Sequence, residues 1–126
     1  MKEKTGYQFS VSINEGIIEI VITGEAIKKD VDLLHTEIID LLKVKDAKAA
    51  LCDISALKGR FDEFAEAFFR VRTIPNDLKR LPSAVVDVSD NKAFQSFYET
   101  TSHNVGLLVK WFTDIETARA WLKSKI

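Results

Sequence analysis

Two short runs limit what this chain can fold into. Ala49-Ala50-Leu51-Cys52 and Ala84-Val85-Val86 are apolar without alternation, and each leads into the same pattern, Asp53-Ile54-Ser55 and Asp87-Val88-Ser89. A strand with one wet face alternates apolar and polar side chains. A run with no polar beat belongs to a strand covered on both faces, as in parallel sheets. Parallel neighbours cannot be joined by a tight turn; they need a crossover, usually a helix and almost always right-handed. The chain must therefore supply helices between its central strands.

The helical periods are present. Val31, Leu34, Ile38, Leu41 and Leu42 form one stripe after Asp30, a suitable cap, and predict a helix to about Val44. Phe61, Phe64, Phe68 and Val71 predict a second helix over about 61–72. Pro75 and Pro82 bracket a one-turn helical link. Phe94, Phe97, Tyr98 and Thr101 predict a third helix, capped by Ser89 or Asp90 and closed by a left-handed Gly106. At the front, Tyr7, Phe9, Val11 and Ile13 alternate with Gln8, Ser10 and Ser12; Asn14-Glu15-Gly16 is a turn, and Ile17 to Thr23 completes a hairpin. Gly24 to Lys29 and Ser55 to Arg60 read as loops. Leu107 to Phe112 is the last strand, and Thr113-Asp114-Ile115-Glu116 is a capping box for a final helix that turns Ile115, Ala118 and Leu122 inward.

The expected architecture is one α/β domain over residues 1–126, with a mixed, mostly parallel five-stranded sheet opened by an N-terminal β-hairpin and about four helices. Crossovers running in one direction put their helices on one face. The other face would then need a partner subunit or a polar surface, which leaves monomer and homodimer open.

Composition removes several functions. Eighteen basic and 19 acidic side chains give a net charge of -1, unlike the basic surface of a nucleic-acid binder. No apolar run approaches a membrane span. The single cysteine, Cys52, cannot form an internal disulfide, and Met1 to Gly6 lacks a secretory signal. A reduced, cytoplasmic setting is the simplest expectation.

Asp53 and Asp87 should lie at the carboxyl ends of strands, where open α/β sheets bind ligands. Two close carboxylates could form a general base. Equally, Asp and Ser end strands and cap helices by bonding nearby backbone groups, and that is the expected role. Cys52 sits in an apolar run and reads as a small buried hydrophobe. His35 and His103 have Ile39 and Leu107 at i+4, so no metal spacing is present. Arg60, Arg70, Arg72, Lys79 and Arg80 make the middle of the chain basic, suited to an anionic head group or to a solvated face with Glu66–Arg70 pairing. Phe69 lies about 100° around its helix from Phe68 and leaves the core stripe, which marks it as a contact residue. No Gly-rich phosphate loop and no nucleophile elbow occurs, so no cofactor is expected.

The order of elements resembles the STAS domain of anti-sigma-factor antagonists, and more closely the SpoIIAA-like fold, which is grouped with Sec14-type domains. Ala50-Leu51-Cys52-Asp53-Ile54-Ser55 looks like the strand-ending "D-[LI]-S" of STAS domains. Ala84-Val85-Val86-Asp87 is similar to their next core strand. Phe112-Thr113-Asp114 through Ala118, Trp121 and Leu122 resembles a SpoIIAA-like C-terminus. The resemblance implies a non-enzymatic regulatory module that shows a protein partner the surface from Ser55 to Arg70. The phosphorylatable serine of such antagonists would fall near Asp62-Glu63, and no Ser or Thr occurs from Lys58 to Val71, so the usual phosphoserine switch is not expected. An acid at Asp62 would complement a helix N-terminus or stand as a permanent charge. The Sec14-type likeness implies an alternative: a carrier or sensor of an apolar or lipid-like ligand, held between the Phe-rich helix and the sheet, with Arg70 or Arg72 at the head group. A hydrolase-type enzyme using Asp53 and Asp87 ranks last.

Overall fold

The computed structural model describes residues 6–25, 31–44, 47–58, 78, 80–88, 92–104 and 106–126. The chain opens with strands β1 (Tyr7–Asn14) and β2 (Ile17–Glu25), paired antiparallel with Asn14 opposite Ile17. The two residues between them, Glu15 and Gly16, both have positive φ, 55° and 84°. That is the mirror-image turn whose twist matches a hairpin, and Gly16 makes it accessible at its second position.

Helix α1 (Val31–Val44) leads to β3 (Ala49–Asp53), which pairs parallel to β2. A two-residue strand β4 (Leu57–Lys58) pairs with the far end of β2, and β5 (Ser83–Val86) joins β3. Helix α2 (Lys92–Asn104), strand β6 (Val109–Phe112) and helix α3 (Ile115–Lys123) complete the order. The strands run β1-β2-β3-β5-β6, parallel after the hairpin.

Several boundaries correct the sequence reading. The segment after Ser55 is not all loop, because Leu57 and Lys58 pair beside Gly24 and Glu25 and make a sixth strand. The last strand starts at Val109 rather than Leu107. The α3 cap is Asp114, not Thr113: its side chain accepts from the Thr117 N–H. The helix expected at 61–72 lies outside the described residues, as do the proposed caps Ser89 and Asp90. Gly106 is left-handed at φ 87° and closes α2: its N–H donates to the His103 carbonyl and Leu107 donates to that of Ser102. This is the Schellman pattern.

The pleat sorts the core into two layers. Ile18, Ile20, Ile22, Ala50, Cys52, Val85 and Trp111 share one face in register, and α1 seals it with Leu34, Ile38, Leu41 and Leu42. The opposite face presents Ile17, Leu51, Ala84, Val86 and Phe112, and α3 covers it with Ala118 and Leu122. Thus a helix of the chain itself, not a partner subunit, closes the second face over the central strands. Arg119 of α3 extends the cover to β2 through a two-pronged pair with Glu19, Nε to Oε2 and Nη2 to Oε1 both 2.9 Å, and its third nitrogen reaches Glu116. The planar fork matches the carboxylate and satisfies a carboxylate that is largely withdrawn from water.

The sheet edges differ. At β6 the Trp111 N–H donates to the Glu99 carboxylate of α2 at 2.6 Å, which occupies an edge donor. At β1 the α1-side residues Val11 and Ile13 stay exposed, Ile13 by 54%. Among the described residues no helix is long and apolar enough to cross a membrane.

Candidate functional site at the carboxyl ends of the strands

Three successive parallel strands end in aspartates: Asp53 closes β3, Asp87 follows β5, and Asp114 lies two residues beyond β6. A backbone leaving a sheet edge carries N–H groups without ladder partners, and a short carboxylate is well placed to accept from them. Asp53 Oδ1 accepts from the Ser55 N–H at 3.0 Å and from its hydroxyl at 2.6 Å. Asp87 Oδ1 accepts from the Val88 N–H at 2.7 Å. Asp114 Oδ2 accepts from the Thr117 N–H at 2.9 Å and hydroxyl at 2.7 Å, and those bonds lower its pKa. Each carboxylate shapes the turn that follows it.

Asp53 and Asp87 do not form a pair facing one space. Asp53 is in register with Val86, whose side chain joins the α3 face. Asp87 is one residue further, and its N–H still donates to the Phe112 carbonyl, so the strand alternation persists there. The pleat therefore sends Asp53 and Asp87 toward opposite faces. Asp87 is 1% exposed, whereas Ser55 is exposed at the rim. The shared-proton base considered from sequence lacks the arrangement it needs.

Cys52 is a free thiol in the α1-side layer. Burial, reinforced by the neighbouring Asp53 carboxylate, pushes its pKa up to about 12. A protonated thiol is a poor nucleophile at neutral pH. Among the described residues no three His, Cys, Asp or Glu side chains gather as a metal site.

Of the other residues singled out by sequence, Arg60, Asp62, Phe69, Arg70, Arg72 and Ser89 lie outside the described residues. So does the helix expected to wall a lipid pocket. An apolar cavity of about 180 Å³ does lie between α1 and the sheet, bounded by Ile38, Leu42, Ala50, Cys52 and Val85. Sequence reasoning did not find it, because a cavity is a mismatch of volumes between layers and leaves no periodic signal.

No protein-family model matches the sequence, and no curated protein matches it. Solved structures do. An anti-sigma factor antagonist from Mycobacterium paratuberculosis superimposes with a TM-score of 0.65 at 11% identity, over 93% of this chain and 94% of that one. An uncharacterized protein with a SpoIIAA-like fold from Shewanella loihica gives a TM-score of 0.58 at 13% identity, over 97% of this chain and 98% of that one. At such identities the likeness shows a fold, here the STAS/SpoIIAA-like one, spanning nearly the whole chain in each comparison.

Proposed function

We propose that this STAS/SpoIIAA-like domain is a non-enzymatic regulatory module that binds a protein partner at the carboxyl edge of its sheet. One observation carries the reading: the strand-end carboxylates of Asp53 and Asp87 are spent on neighbouring turn groups and diverge to opposite faces, which suits a shaped surface better than a paired-acid catalyst. Ser55 is an exposed residue of that edge, held by Asp53. The proposed contact residues are Ser55 with Arg60, Asp62, Phe69, Arg70, Arg72 and Ser89. The Mycobacterium neighbour is an anti-sigma factor antagonist, so a regulatory protein is the proposed partner class. No serine or threonine lies between Lys58 and Val71, so regulation would proceed without the usual phosphoserine. A cytoplasmic setting belongs to this reading.

The test is site-specific photocrosslinking in the native host, with the photoreactive residue placed at Ser55, at Phe69 or at the exposed Ala120 of α3. Ser55 and Phe69 should each trap the same discrete protein, and Ala120 should not. Phe69→Ala should abolish the crosslink from Ser55 and leave the melting temperature nearly unchanged. Equal capture from Ala120 would refute the surface. A destabilisation of about 3–5 kcal/mol in Phe69→Ala, the cost of truncating a core Phe, would refute its role as a contact.

A further inference from the structure

A second place on the molecule has the makings of a ligand site, and it lies at the other end of the parallel strands. Among the described residues the walls of the cavity of about 180 Å³ under α1 are aliphatic except for Ser83 and Cys52. The Ser83 hydroxyl is already donated to the Leu81 carbonyl at 3.2 Å, and the Cys52 thiol is held neutral by burial. A trapped water needs two to four polar partners, and an apolar space of this kind stays dry and takes apolar guests.

A second space, of about 470 Å³, adjoins it, and Leu42, Leu78 and Leu81 line both. Its other walls among the described residues are Ala47 and three cations: Lys43 from the last turn of α1, Lys48 just before β3, and Arg80 ahead of β5. Among the described residues no acid lines either space, and none of the three cations makes an ion pair. The Lys48 stem passes close over the hairpin turn, where a Cβ on Gly16 would sit 3.3 Å from its Cδ. Three exposed cations around one opening repel each other and concentrate anions.

We propose that the two adjoining spaces together bind a compact amphipathic anion, its apolar body in the cavity under α1 and its carboxylate or phosphate head among Lys43, Lys48 and Arg80. Size sets the body. An apolar cavity of roughly 150 Å³ accepts benzene, so this one takes about six to eight carbons and not a full-length acyl chain. Charge sets the head, because the Arg80 guanidinium offers a planar fork to either oxyanion and the lysines add point charges. The cation-lined opening lies at the amino ends of β3 and β5, opposite the strand ends that carry Asp53 and Ser55, and the proposal stands independently of the partner-binding reading.

The test is a two-dimensional amide NMR titration of the full chain with octanoate below its micelle concentration, and in parallel with octanol, hexyl phosphate and octyltrimethylammonium. Octanoate should give saturable shifts in the second half of α1, in β3 and in β5, and should bind at least about tenfold more tightly than octanol. Octyltrimethylammonium should bind more weakly than octanol. The double variant Lys43→Gln, Arg80→Gln replaces exposed side chains, so it keeps the fold; it should reduce octanoate to the affinity of octanol and leave octanol unchanged. Tighter binding of hexyl phosphate than of octanoate would support the site and identify a phosphate head. Absence of saturable binding at millimolar octanoate, equal affinity for octanoate and octanol, or indifference of octanoate to the double variant would each overturn the proposal.

Discussion

Leu122→Ala tests whether α3 is a working half of the core. Leu122 is 0% exposed and packs with Ala118 against the sheet layer of Ile17, Leu51, Ala84 and Val86. The substitution removes three carbon atoms from a dry site, worth about 0.8 kcal/mol each in transfer terms. The hole left behind adds about 24 cal/mol per Å³ to the extent that the walls do not collapse. The expected loss is therefore roughly 3 kcal/mol. At about 2.1 cal/mol/K per residue, a chain of 126 residues has an unfolding entropy near 0.26 kcal/mol/K, so the melting temperature should fall by roughly 11 °C. Urea titration gives the free energy and calorimetry the midpoint. The control is Leu33→Ala on α1, half exposed, which should cost less than about 0.5 kcal/mol. If Leu122→Ala lost less than about 1 kcal/mol with an unchanged urea slope, α3 would not be docked on the sheet. The two-faced core described above would then be wrong.

Other consequences are open to measurement. Asp114→Ala removes the α3 cap and should lower the melting temperature by a few degrees, whereas Asp114→Asn, still able to accept from the Thr117 N–H, should lose less. Because its folded pKa is depressed, the Asp114 contribution is complete above the ordinary value of 3.8 and is lost as pH falls through the folded pKa, so wild type and Asp114→Ala should converge in acid. Cys52 should resist iodoacetamide at pH 8 in the native chain and react readily in urea, as read by mass spectrometry; rapid native alkylation would contradict a pKa of about 12. The same raised pKa means that its contribution is intact below the unfolded value near 9.0 and is lost as pH rises toward 12. Asp87→Ala leaves the Val88 N–H without its carboxylate acceptor at a buried site and should cost about 1–3 kcal/mol, whereas a functional rather than structural carboxylate would leave stability unchanged.

What the sequence determined by itself was local. Unbroken apolar runs at Ala49–Cys52 and Ala84–Val86 marked strands covered twice, Asn14-Glu15-Gly16 between an alternating run and the apolar Ile17–Thr23 segment marked a hairpin, and the stripes of α1 and α3 marked which residues face inward. These signals are written within a few residues of one another, in periods of two or 3.6 and in turn chemistry. A period says that a face is apolar without saying what covers it, and only tertiary structure put α3 on the face opposite α1. Glu19 and Arg119, 100 residues apart, carry no mark of their pairing. The strand β4 is two residues long, too short for any period, and exists only because the end of β2 lies beside it. Both aspartates were legible as strand ends, but the one-residue offset between Asp53 and Asp87 is a property of register. Register is fixed by packing between distant segments, and it is what separates two turn-forming carboxylates from a catalytic pair.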